Sequence, residues 1–337
     1  MIIQLNKNIK PEDKNKIISE LKTKNYSCSE VKTMQGNYLV AIGKAEIDIR
    51  QIGVLKGVAD IHKVSDNYKL VSRKWKTDYS EIDLGNDIKI GSNNFSIMAG
   101  PCSIENEEQI IEMVKHLKAN NVKIMRGGVF KPRSSPYSFR GLGIEGLKVF
   151  SKHCKEAGIK IITEVMQVSQ IEDMIDYVDI FQVGARNSQN FNLLDELGKT
   201  NKPVMLKRGL AGTIDELLFS AEYIFSAGNE QIILCERGIR SYEKAYRNTL
   251  DINAIPILKE KSHLPVIVDP SHAIGIRQFI EPLALASIMA GADGIIFEMH
   301  KQPEIAFSDG QQSLNYAESE KLYKNIRKTY DFRSSLS

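Results

Sequence analysis

Eight short apolar runs in this chain each end in a residue suited to chemistry: Cys102, Arg126, Glu164, Arg186, Lys207, Arg237, His272 and Glu298. The set divides in two. Cys102, His272 and Glu298, with Asp309 in the loop FSDGQQSL, offer a thiolate, an imidazole and two carboxylates. That donor mixture suits a borderline divalent ion such as Mn, Fe, Co or Zn and does not choose among them. Arg126, Arg186, Lys207 and Arg237 are cations suited to phosphate or carboxylate, arginine as a two-pronged donor and lysine as a point charge. The segment MRGGVFKPRSSPYSFRG adds Lys131, Arg133 and Arg140, with Gly127 and Gly128 permitting close backbone approach. So many cations in one place repel unless an anionic ligand or buried carboxylates compensate, and Glu164 and Glu236 are expected to do part of this.

The elements that must position these groups follow from the spacing. Successive end residues lie 24, 38, 22, 21, 30, 35 and 26 residues apart, each gap long enough for a loop, a helix and the next strand. Eight strand–helix units with reactive groups at the strand ends predict a parallel (β/α)8 TIM barrel with one active mouth, an α/β fold. Strands are expected at 95–100, 122–126, 160–165, 180–183, 204–207, 232–236, 266–269 and 294–298. Helical spacing appears at 107–117, 213–226 and 277–290, with Thr213 and Glu216 forming a capping box. In a closed barrel the eighth strand meets the first, which brings Cys102 to His272, Glu298 and Asp309. A lone Cys, His or Glu at a strand end is ordinarily structural, but four at adjacent mouth positions favour a metal. His300, two residues past Glu298, is a weaker ligand candidate.

The first 70 residues read as a separate unit. The order βαββαβ comprises a strand in MIIQL, a helix after Pro11, a hairpin turning at 35–37, a helix at 47–57 and a last strand at 58–71. It predicts a small α+β ferredoxin-like domain at 1–70. A polar connector follows at 71–84, then the barrel at 85–337. Stretches 88–91 and 94–97 alternate and are expected to pair as a hairpin at the barrel entrance. Trp75 is expected between the two units. Cys154 and Cys28 read as structural, and Cys235 as a residue facing the barrel interior.

Composition limits the alternatives. The 337 residues carry a net charge of +3 and 42% apolar residues. The charge splits as +4 over 1–70 and −1 over the rest, without the basic stripe of a nucleic-acid binder. No apolar run reaches the roughly 20 residues of a membrane span. The four cysteines are scattered, with no CxxC pair and no signal peptide, so a reduced cytoplasm is the expected location.

The motifs GPCSIE, KPRSSPYSFRGLG, ITEV, QVGARN, LKRG, DPSH and SDGQQSL, in this order, resemble 3-deoxy-D-arabino-heptulosonate-7-phosphate (DAHP) synthases over residues 85–320, and the N-terminal unit is similar to the ferredoxin-like extension of one subgroup. The resemblance implies a metal-dependent aldol-type transferase that condenses phosphoenolpyruvate with erythrose 4-phosphate at the start of the shikimate pathway to aromatic amino acids. It implies Cys102, His272, Glu298 and Asp309 as metal ligands. Arg126, Lys131, Arg186, Lys207 and Arg237 would surround phosphoenolpyruvate, and Arg133 and Ser134 the aldose phosphate group. Glu164 would hold a water, and Lys131 and His272 would take part in catalysis. It further implies an aromatic amino acid effector (Tyr or Phe) and a homotetramer. The sibling 3-deoxy-D-manno-octulosonate-8-phosphate synthases use arabinose 5-phosphate; they usually carry Ala-Asn between the Lys and Arg where this chain has Lys131-Pro132-Arg133. After Glu298 the chain reads MHKQPEIAFSDG, where relatives often have VHPDPEKALSDG. Two rivals fit less well. A pyruvate aldolase gives no role to so many cations, and a non-catalytic sensor needs neither metal nor Glu164.

Overall fold

Short β-branched runs buried on both faces form the eight barrel strands: β7 (Ser96–Gly100), β8 (Ile124–Arg126), β9 (Lys160–Val165), β10 (Ile180–Val183), β11 (Val204–Lys207), β12 (Ile232–Glu236), β13 (Val266–Val268) and β14 (Gly294–Glu298). In this computed structural model, which describes residues 1–131 and 137–336, they pair in sequence order, all parallel. The ring closes where Glu298 of β14 lies opposite Gly100 of β7. Around it run α3 (Glu107–Ala119), α4 (Gly143–Ala157), α5 (Ser169–Met174), α6 (Phe191–Gly198), α7 (Ile214–Ser226), α8 (Ala254–Lys261), α9 (Pro270–Ile274), α10 (Ile280–Met289) and α11 (Tyr316–Ser334). The Thr213–Glu216 capping box forms as expected. Met98, Ile162, Met205, Ile233, Cys235 and Ile296 fill the axis, so the barrel is a packed core and its chemistry is confined to an end.

The entrance hairpin is formed differently from the expectation. β5 (Ile82–Asp83) pairs antiparallel with β6 (Lys89–Ile90), and only the isolated bridge Gly91–Asn94 links the two stretches expected to pair. Asn86 and Asp87, both at positive φ, make the turn possible. Ile82, Ile88 and Ile90 insert into the axial core, and Ser96 at the start of β7 donates its hydroxyl to Lys89 O. The hairpin therefore stoppers the N-terminal end and leaves the C-terminal end as the open mouth.

Residues ahead of the hairpin form a four-stranded antiparallel sheet, order β2-β3-β1-β4, from β1 (Ile2–Leu5), β2 (Ser27–Lys32), β3 (Asn37–Ile42) and β4 (Val58–His62). Strand alternation sends Ile3, Leu5, Leu39 and Ala41 toward α1 (Pro11–Thr23) and α2 (Ile49–Gly53), and Ile2, Tyr38 and Val40 toward the barrel. Helix α2 is shorter than expected. Asp48 caps its start, and the chain then reaches Gly57 at φ +98°. β4 also stops early, because the following residues leave the sheet for the barrel. The Leu70 and Val71 N–H groups donate to the Glu222 carboxylate. The connector is packed: Trp75 meets Tyr38 and His263 edge-on at 5.4 and 5.8 Å. No helix among the described residues is long and apolar enough to cross a membrane.

Candidate active site at the barrel mouth

Closure of β14 on β7 creates the metal candidate. Ligand atoms of Cys102, Glu298 and Asp309 lie within 4.8 Å of one another. Asp309 reaches in from a turn at φ 52°, its Oδ2 3.0 Å from Cys102 Sγ. Burial, with the Glu298 carboxylate next, pushes the Cys102 thiol up to about 12. Burial also disfavours charge on Glu298 and Asp309, yet both are held below the usual carboxylate range. His272 and Arg126 overcome it for Glu298, and the bond from Cys102, then His272, for Asp309. Two ionised carboxylates facing a buried thiol are a donor set that a borderline divalent cation fits, and such an ion deprotonates a coordinating thiol outright.

His272 stands beside this group rather than in it. Its Nε2 is 3.5 Å from Glu298 Oε1, while Asp269 Oδ2 accepts from Nδ1 at 2.7 Å. That second bond keeps Nε2 as the free ring nitrogen, the usual arrangement behind a metal-ligating histidine. His300 is drawn away: its Nε2 is 3.5 Å from Glu105, and its Nδ1 accepts from Gln302 N.

The cations line the same mouth. Arg126 Nη1 donates to Glu298 Oε1 (2.9 Å) and Pro101 O (2.8 Å). Lys131 folds across Gly128, where an added Cβ would sit 2.7 Å from its Cδ, and donates to Cys102 O (2.8 Å) and Sγ (3.1 Å). Lys207 Nζ is 2.5 Å from Asp269 Oδ2. Among the described residues Arg237 donates to the carbonyls of Gly238 and His272, and burial pulls its guanidinium down. Arg186 sits exposed on a 3-10 turn after β10 and makes no ion pair with the described residues. Beside it, Ser188, Gly209, Gly212 and Glu216 help to line a cavity of about 440 Å³. Glu164, half-buried on β9, lies over Gly184 with Gln182 Nε2 3.5 Å from its Oε2. Arg133 and Ser134 lie outside the described residues.

The expected carboxylates contribute only part of the compensation, Glu164 acting through space on Arg126 and Glu236 on Arg237. Glu236 pairs with Arg208 (2.8 Å) and accepts from Gly238 N, and Glu164 pairs with no cation among the described residues. Glu298 and Asp269 balance Arg126 and Lys207 directly. Lys131 and Arg237, 8% and 3% exposed, make no ion pair among the described residues, which makes the mouth a receptor for anions. Three contributors escaped the sequence reading: Asp269, Gln312 and Arg208. Asp269 had a signal, an acidic residue three positions before His272 in DPSH; Arg208 adjoins Lys207 in LKRG; Gln312 had none.

A model of the DAHP synthetase I family matches residues 74–333. The chain is 45% identical over 332 residues, 98% of each protein, to phospho-2-dehydro-3-deoxyheptonate aldolase of Thermotoga maritima. It is 34% identical over 244 residues to 2-dehydro-3-deoxyphosphooctonate aldolase of Syntrophobacter fumaroxidans, covering 67% of this chain and 83% of the relative. The crystal structure of the Thermotoga maritima aldolase, also named DAHP synthase, matches with a TM-score of 0.78 at 44% identity, covering 98% of this chain and 97% of that one. The chain is thus similar to those proteins in sequence and fold over nearly its whole length, and it belongs to the DAHP synthetase I family.

Proposed function

We propose that this chain condenses phosphoenolpyruvate with erythrose 4-phosphate and water, giving DAHP and inorganic phosphate. The observation that carries the reading is the pair of buried cations with no direct ion pair among the described residues, Lys131 and Arg237, beside a thiol–carboxylate group. A doubly anionic substrate satisfies the first, and a carbonyl to be polarised suits the second. The 45% identity to a heptonate aldolase against 34% to an octonate aldolase favours the four-carbon aldose.

In this reading Arg126, Arg186, Lys207 and Arg237 hold the carboxylate and phosphate of phosphoenolpyruvate, and Arg133 and Ser134 hold the aldose phosphate. Holding two anions within reach of one another supplies much of the rate by positioning. Cys102, Glu298 and Asp309, with His272 beside them, would hold a divalent cation, which when bound polarises and orients a carbonyl oxygen. As C3 of the enol phosphate attacks the aldehyde carbon, Lys131 stabilises or protonates the developing alkoxide. Positive charge at C2 is met by water that Glu164 orients and deprotonates. The resulting hemiketal phosphate collapses to the ketone and expels phosphate, whose growing charge the cations stabilise.

The N-terminal unit is proposed as a ferredoxin-like domain of 1–70, with 71–84 as connector and 85–337 as catalytic barrel. Its βαββαβ order and β2-β3-β1-β4 sheet support this. We assign it a regulatory role toward Tyr or Phe in a cytoplasmic homotetramer. Deleting residues 1–70 is expected to abolish inhibition and spare catalysis; a truncated enzyme that is still inhibited places the effector elsewhere.

Phosphate release tests the whole. Release that requires erythrose 4-phosphate, stops with EDTA and returns with manganese supports both reaction and metal. Release unaffected by chelation keeps the condensation and removes the metal. Release with arabinose 5-phosphate alone makes the chain the octulosonate enzyme.

A further inference from the structure

Gln312 closes the 3-10 turn Gly310–Gln312 that begins after Asp309, and its side chain is fully buried. Its amide spans two charged groups. Nε2 donates to Glu298 Oε2 at 2.6 Å, and Oε1 accepts from Arg247 Nη1 at 2.6 Å. A guanidinium offers only donors and an ionised carboxylate only acceptors, so one orientation of the amide satisfies both and the flipped one satisfies neither. Glu298 is thereby pinned from both sides, Oε2 by Gln312 and Oε1 by Arg126.

Arg247 comes from the β12–α8 connection, with 37% of its side chain exposed at the rim. The same loop is tied to the turn that carries His272. Arg247 N donates to Ile274 O, and Asn248 Nδ2 donates to His272 O at 2.8 Å. Gly275, at φ +69°, leaves no room for a side chain: a Cβ there would lie 2.7 Å from Arg247 Cβ. The guanidinium also lies 3.8 Å from Asp309 Oδ1. One loop thus touches the supports of His272, Glu298 and Asp309 at once.

We infer that Arg247 and Gln312 are positioning residues, a relay through which a rim arginine fixes the carboxylate plane of buried Glu298 for a divalent cation. The inference rests on the reading of Glu298 as a metal ligand. Arg247 does not touch the ligand atoms of Glu298 and reaches that carboxylate only through the amide, while its 3.8 Å contact with Asp309 is a separate, direct one. Its effect on Glu298 therefore depends on Gln312 being present.

Manganese binding to the EDTA-treated full-length chain, followed by calorimetry without substrate, tests the relay. Arg247→Ala and Gln312→Ala are each expected to weaken binding about 10- to 100-fold, the usual cost of losing an outer partner of a metal ligand. The double variant is expected to lose less than the sum of the two single losses, because both act on Glu298 through one amide while Arg247 also reaches Asp309 directly. Arg247→Lys, which still offers Gln312 Oε1 a donor, is expected to recover most of the affinity. Unfolding midpoints check that the rim variants keep the fold. Wild-type affinity in both alanine variants, or losses that simply add, overturns the relay. Glu298→Gln separates the levels: if it also binds manganese normally, the metal reading falls with the relay. If it loses affinity while Gln312→Ala does not, the relay alone falls.

Discussion

Lys207 and His272 share one carboxylate oxygen: Asp269 Oδ2 lies 2.5 Å from Lys207 Nζ and 2.7 Å from His272 Nδ1. Burial alone would raise the Asp269 carboxyl, but His272 and Lys207 hold it well below the usual range. The anion therefore fixes a lysine and an imidazole together at the barrel mouth. Asp269→Asn removes the negative charge, and with its oxygen toward Lys207 and His272 Nδ1 its NH2 would face the His272 N–H that Oδ1 now accepts. A drop in kcat/KM on the order of 10²-fold is expected, since misplacing catalytic groups by about 1 Å costs that much. Manganese affinity should fall in the same variant; steady-state kinetics and calorimetry on one preparation check both.

Glu164 and Gly184 give a sharper test of the water-holding role. A Cβ at residue 184 would sit 2.0 Å from Glu164 Oε1. Gly184→Ala must therefore displace that carboxylate while leaving the cations in place. The expected outcome is a kcat lowered on the order of 10²-fold with little change in the Michaelis constant for phosphoenolpyruvate. An unchanged kcat removes Glu164 from the mechanism.

Cys102→Ala deletes the softest donor without touching the barrel axis. It is expected to lose manganese binding and phosphate release together while the far-ultraviolet dichroism stays that of a folded barrel. Full activity in the chelator-treated variant contradicts the metal assignment.

Arg237 should trade stability for binding. It is 3% exposed with carbonyl partners among the described residues, and His272 O keeps a second donor in Asn248. Arg237→Met removes a poorly compensated buried charge. Stability is expected to rise by about 1 kcal/mol, while the Michaelis constant for phosphoenolpyruvate rises at least about tenfold. Thermal unfolding and saturation kinetics read the two effects separately.

Acid should weaken the join between the two units. His263 donates from Nε2 to Leu70 O and accepts on Nδ1 from Ser80, whose hydroxyl also accepts from Lys76. Burial, with Lys76 adding to it, lowers its pKa from 6.5 to about 3. Between those values the unfolded chain binds the proton and the folded one does not, so stability rises with pH across the window and is lost as pH falls below 6.5. A tenfold difference in proton affinity between the two states is worth roughly 1.4 kcal/mol. His263→Gln cannot titrate and should show a flatter fall in unfolding midpoint over the same range.

The barrel was legible because strands covered on both faces read as apolar runs whose ends differ from the structure by at most two residues. The hairpin was misread for a physical reason. Its first strand is only Ile82–Asp83, too short to carry an alternation, so the more regular stretch 94–97 drew the pairing. Cys102, Arg126 and Glu298 were visible as chemistry at strand ends. Asp269 and Gln312 were not singled out, since what they do depends on partners 62 and 65 residues away, Lys207 and Arg247. Distances of that kind become contacts only on closure. Glu236 was expected to share in balancing the mouth cations; it acts on Arg237 through space, while its direct ion pair is with Arg208, the immediate neighbour of Lys207.

The seam between β7 and β14 has a consequence for assembly. Cys102 and Asp309 are separated by 207 residues of chain, nearly the whole barrel, and their side chains meet only once that length has wrapped into a ring. A cation held by both ends would act as a clasp on the last joint to close. Closing so long a loop carries an entropic cost that rises only slowly with its length, and an ion that binds the ring but not the open chain repays it by mass action. Metal supply would then govern how long each barrel stays shut as well as how fast it turns over.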